Sequence, residues 1–282
     1  MADLLASLTA PPSGRSRPAW FGSLAYCRAR LLGGAPVPWT SPGDLVAFTG
    51  KAQGMFRSDA LLVDVADLCA ERVTADSELR AAMGSRSRAG YSLRTMLADD
   101  TVRTAAVDAV GAVSGGGDGT PLVLSIPSPA QWLTISAEQA GQPAEPPDAD
   151  RADTAAMYIA DFLRVFGTAG VDGLLLDEGT ANAAELVPAD AYRPVLNVAE
   201  NYGWPTLICT PAAAAWPNGA VAGIAGWIGT APPQHPGATW GWCASDDFWA
   251  GAGPEGEPDL MFAIVPGQAD PDSVMARVRA LA

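Results

Sequence analysis

Three leucines run directly into two acids at Leu174-Leu175-Leu176-Asp177-Glu178, the pattern with the plainest chemical content in the chain. A charge placed straight after buried apolar residues needs water, a ligand, a metal or a partner charge to offset its desolvation. Either carboxylate can bind a substrate ammonium or serve as general acid or base. The alternative is a carboxylate that caps the following helix, whose backbone amides favour negative charge. His235, the one histidine, lies in Pro232-Pro233-Gln234-His235-Pro236-Gly237. It titrates near neutrality without help, so it is either a proton shuttle or an exposed loop residue. Cys209 closes an apolar run and is a nucleophile, a ligand or a buried small hydrophobe. Trp242, with Trp240, Phe248 and Trp249, stands near Asp246-Asp247, where the rings either line a pocket or fill a core. Tyr91 and Arg94 are candidate anion binders, and Ser128 and Trp132 candidate substrate contacts. Lys51 is the lone lysine, but a chain rich in Ala, Gly and Arg explains why the others are missing.

These groups need elements to hold them, and the clearest are short apolar runs of strand length. Ala60–Val65 carries one ending near Asp64, and Pro121–Ile126 stops at Pro127-Ser128-Pro129. Further runs follow at 171–177, 206–209, 225–229, 239–242 and 260–265. Between them fall helical patterns at 101–113, 152–167 and 189–202, and a closing one at 272–281. Residues 1–45 read as an irregular N-terminal lead-in with aromatic anchors and a helix near 26–32. Wholly apolar strands alternating with helices predict a parallel sheet covered on both faces. No G-x-G-x-x-G stands between a strand and a helix, which favours a closed (β/α)₈ TIM-type barrel over an open doubly wound sheet. The 282 residues, 49% hydrophobic, suit one such domain over 1–282.

The formal charge of −14 argues against a nucleic-acid backbone or an anionic membrane as partner and leaves small molecules or proteins. No apolar run reaches the ~18 residues of a spanning helix, and the N-terminus lacks a secretion signal, so a cytoplasmic protein is expected. Cys27, Cys69, Cys209 and Cys243 show no C-x-x-C spacing and are expected as free thiols.

Pro121–Leu133, then Ala169-Gly170-Val171-Asp172-Gly173-Leu174-Leu175-Leu176-Asp177-Glu178, then Thr206-Leu207-Ile208-Cys209, together resemble the uroporphyrinogen decarboxylase and cobalamin-independent methionine synthase superfamily. The resemblance spans roughly residues 121 to 230. It implies a (β/α)₈ barrel with a proline-bearing loop after one strand, an acidic strand end and a strand that brings a cysteine to the pocket. It also implies frequent pairing into homodimers. In the methyltransferase branch zinc is held by a His-x-Cys strand end plus further ligands, whereas Leu207 stands here in the histidine position. A replacement set of Cys209, His235, Cys243 and Glu178 has the right ligand types but must converge on one ion. The arginines of the N-terminal half lack the decarboxylase branch's spacing, and a strongly acidic chain is a poor host for a polycarboxylate.

Three functions are therefore in play. The leading one is a metal-independent lyase or transferase acting on a small, partly apolar metabolite without a bound cofactor. In it Asp177 and Glu178 are the acid-base or orienting groups and His235 a proton shuttle. The second is a zinc-dependent methyl or alkyl transferase using Cys209. The third is a barrel that binds a ligand or protein without catalysis.

Overall fold

The computed structural model describes residues 3–116, 119–144, 146–179, 186–210, 221–232, 239–244, 246–253 and 256–281. Eight strands form one parallel sheet: β1 (Ala19–Gly22), β2 (Leu61–Asp64), β3 (Leu122–Pro127), β4 (Gly173–Asp177), β5 (Thr206–Cys209), β6 (Ile224–Gly229), β7 (Thr239–Ala244) and β8 (Leu260–Ile264). Their order is β1-β8-β7-β6-β5-β4-β3-β2, so the two ends of the sheet are the first and second strands and the sheet curls into a nearly closed (β/α)₈ barrel.

Alternation along each strand divides the apolar residues into two cores. Trp20, Val123, Leu175, Leu207, Ile228 and Leu260 point inward and fill the barrel. Leu174, Leu176, Ile208, Trp227, Trp240 and Trp242 point outward against the helices. The N-terminal helix Leu4–Thr9 plugs the lower end: a Cβ on Gly173, at the start of β4, would lie 2.2 Å from Leu4 Cδ2. Only a glycine there lets the plug seat.

The β1/β2 seam closes differently from the other seven. The Asp59 amide donates to the Ala19 carbonyl at 2.9 Å. Side chains do the rest: Asp59 Oδ2 accepts from the Ala19 amide at 2.9 Å, and Ser58 Oγ from the Phe21 amide at 3.1 Å. Asp59 is fully buried and also accepts from the Arg15 guanidinium at 3.3 Å, while Arg15 donates to the Phe56 carbonyl.

The strand expected near each of the seven apolar runs is present. The eighth, β1, lies inside the lead-in read as irregular, where four residues flanked by Pro18 and Ser23 give too short a run to register as a strand. The helix Pro42–Phe56 also lacks a sequence signature, because Gly43, Gly50 and Gly54 dilute its period. Among the described residues no helix is long and apolar enough to cross a membrane.

Candidate active site at the barrel mouth

Functional groups in this architecture gather at the C-terminal ends of the strands. The alternation that turns Leu175 inward also turns Asp177 inward and sends Glu178 the other way, so the two adjacent acids occupy different environments. Glu178 is 4% exposed, between barrel and helices. Its Oε2 accepts from Ser128 Oγ at 2.6 Å and its Oε1 from the Tyr192 hydroxyl at 2.7 Å. Ser128 is itself the cap of the helix Pro129–Gln139, accepting from the Gln131 amide. Glu178 thus ties the β3 loop, the end of β4 and the turn Ala189–Tyr192 together. Burial pushes its carboxyl up, and the two hydrogen bonds oppose that. Burial and the neighbouring Glu178 charge drive the Tyr192 hydroxyl well above its ordinary value.

Asp177 faces the barrel mouth. Burial raises its carboxyl, with the Gly179 amide donating to Oδ1 at 2.8 Å in partial compensation. The second inward acid is Asp64, at the end of β2. Its Oδ1 accepts from the Asp67 amide at 2.9 Å, capping the helix Val65–Ala75. Burial is the main cause that pushes Asp64 up to about 6, and the charges of Asp67 and Asp177 add to it. A carboxyl in that range can hold or accept a proton near neutral pH. Asp64, Asp177 and Ser125 line one cavity of about 510 Å³ with Gly22, Phe262 and Ile264 from the first and last strands. Arg28 also reaches it, but its guanidinium is paired with Glu71 at 2.9 Å and Asp67 at 3.6 Å. The Trp39 indole donates to Asp67 at 2.9 Å.

Beside these carboxylates two thiols meet. Cys209 on β5 and Cys243 on β7 are one strand apart across β6, and alternate strands share a layer in such barrels. The Cys209 thiol donates toward Cys243, which lifts Cys209 and lowers Cys243, and the Asp177 charge acts on both in the raising direction. Measured against the zinc that the resemblance implies, this donor set is short. Both Glu178 oxygens already accept hydrogen bonds, and Leu207 is packed inside the barrel. No three His, Cys, Asp or Glu among the described residues form a group able to hold a metal. The described residues therefore do not assemble the zinc site, and His235 lies outside them.

The other candidates are dispersed. Trp132 is fully buried and meets Phe162 edge to face at 6.3 Å, and Trp242 faces Phe248 in the helix layer at 5.9 Å. Tyr91 and Arg94 lie on the outer helix Tyr91–Ala98, where Arg86 covers the Tyr91 ring and Arg94 the Tyr158 ring. None of these four lines the mouth cavity. Lys51 is exposed on the helix Pro42–Phe56. Asp64 and Ser125, each near the end of an apolar run, line the cavity beside Asp177. Their signal is the repeated form of a buried run ending in an acid, Leu61-Leu62-Val63-Asp64, which echoes Leu174-Leu175-Leu176-Asp177.

Fold and site together define a (β/α)₈ barrel with a carboxylate-lined mouth. Among solved structures the chain is similar to a methyltransferase from Methanosarcina mazei, at 14% identity and a TM-score of 0.50, covering 99% of this chain and 96% of that one. That likeness is one of fold. No family model and no curated protein matches the sequence.

Proposed function

We propose that this barrel is a transferase of the methyl- or alkyl-transfer type, acting at its mouth on a small, partly apolar metabolite. The observation that carries this reading is the pair of inward carboxylates, Asp64 and Asp177, in one cavity whose burial pushes Asp64 up to about 6. The similar fold of a methyltransferase supports the reaction type. Alkyl transfer forms a bond from the acceptor heteroatom to the alkyl carbon as the donor's own carbon–heteroatom bond breaks and the donor departs with that electron pair. The acceptor is left with a proton to lose, and Asp64 is placed to take it as general base. Asp177 holds the acceptor against the apolar wall of Phe262 and Ile264. Glu178, with both oxygens engaged, acts on the reaction through position: it fixes the end of β4 and thereby Asp177.

The test follows metabolites by mass spectrometry as the protein is incubated with a mixed small-metabolite extract. Wild type is expected to deplete a defined set of species. Asp64→Asn and Asp177→Asn are each expected to slow that depletion by about 10²–10⁴-fold, the usual scale of a lost acid-base group. Depletion unchanged in both variants would overturn the reading, and a wild type that binds metabolites without converting any would leave a binding barrel. Metal analysis of protein purified without chelator is the companion measurement. Stoichiometric zinc, lost in Cys209→Ala and in Cys243→Ala, would replace metal-independent chemistry with a thiol-held metal.

A further inference from the structure

The mouth cavity does not end at the carboxylates. Hydrogen bonds join β1 to β2 at Ala19, Phe21, Ser58 and Asp59, near the lower end of the seam. Beyond them the cavity passes between the strands and is bounded by Phe48, Ala52 and Phe56 of the helix Pro42–Phe56. A second hollow of about 450 Å³ runs along the same helix, but it is a separate surface feature: Gly50 and Gly54 are exposed there, and Ser13, Gln53, Arg57 and Thr120 make its walls largely polar.

Charge decides which end of a ligand goes where. Arg28, the one cation among the described residues lining the cavity, is already matched by Asp67 and Glu71, so among those residues no further basic side chain meets the negative charge of Asp64 and Asp177. Down the seam the walls are aromatic and aliphatic, with Phe21, Phe48, Phe56 and Val63 among them.

We infer that the site takes an elongated amine, with its ammonium between Asp64 and Asp177 and an unbranched aliphatic chain lying in the β1/β2 seam against Phe48, Ala52 and Phe56. This deepens the reading of the mouth carboxylates as the substrate site and rests on it. Each methylene that leaves water on entering the seam strengthens binding by about threefold to fourfold.

Isothermal titration of the full chain with n-butylamine, n-hexylamine and n-octylamine, and with octanoate as the anionic counterpart, tests the assignment. Octylamine is expected to bind at least about tenfold more tightly than butylamine, and octanoate not measurably. Ala52→Leu and Ala52→Phe narrow the seam and are expected to bring the octylamine-to-butylamine ratio below about threefold. A thermal midpoint maintained in either variant separates filling from unfolding. Amines that bind equally at every chain length would overturn the seam while leaving the carboxylate site standing. Octanoate that binds as tightly as octylamine would overturn the carboxylates as the head-group site while leaving the seam. Absence of any amine binding would overturn both.

Discussion

Asp177 and Glu178 are neighbours in sequence and occupy different surroundings, because one residue of strand reverses the side of the sheet a side chain occupies. Glu178 accepts two short hydrogen bonds and holds three segments together. Glu178→Ala would strand the Ser128 and Tyr192 hydroxyls in a dry layer, and we expect it to lower stability by about 2–4 kcal/mol in urea unfolding. Asp64 has the reverse character. Its carboxyl stands at about 6 in the folded chain against an ordinary 3.8. The folded state therefore binds the extra proton between those values, and stability falls as pH rises from about 4 to about 6 and stays lower above. Asp64→Asn keeps a side-chain oxygen for the helix cap and removes the buried charge. It is expected to stabilise the protein at pH 8 by up to about 3 kcal/mol and to leave stability at pH 4 nearly unchanged, read from thermal midpoints at the two pH values. A group that destabilises its own fold in this way is a mark of a functional position. The sequence shows both acids but not their division of labour, since wholly apolar strands carry no alternation from which to read the inward face.

At the scale of elements, the closing of the barrel depends on side chains standing in for strand pairing. Asp59 supplies acceptors to the Ala19 and Ser13 amides and to Arg15, whose side chain is only 5% exposed. Asp59→Ala would open the β1/β2 seam and leave that guanidinium buried without its charge partner. We expect a loss of about 3–5 kcal/mol, seen as a lowered denaturation midpoint. Seven strands are legible because each is a short apolar run bounded by Pro, Gly or an acid. The first strand is not, because Ala19-Trp20-Phe21-Gly22 is too short to show a period and takes its hydrogen bonds from distant residues. The helix Pro42–Phe56 escapes for a related reason: Gly43, Gly50 and Gly54 weaken the local signal.

Across the whole molecule, the alternation of strands and helices fixes the barrel, and the barrel fixes which residues can meet. Asp64 and Asp177 are 113 positions apart in sequence and face one cavity because β2 and β4 flank β3, Asp64 pairing with Ser125 and Asp177 with Pro127 two residues further along. Cys209 and Cys243 meet by the same logic across β6. Tyr91, Arg94 and Trp132 stand on the outer helices and Trp242 turns outward from β7, so none of the four lines the cavity that holds Asp64 and Asp177. The closed sheet thus decides which of these residues face the mouth cavity and which face the helices. Carbon-13 carboxyl NMR, following the aspartates with pH in wild type and in Asp177→Asn, tests directly whether the two acids share the mouth. An Asp64 resonance, absent from Asp64→Asn, is expected with a midpoint near 6 that falls when Asp177 loses its charge. An Asp64 midpoint near 4, unmoved by Asp177→Asn, would contradict a shared mouth.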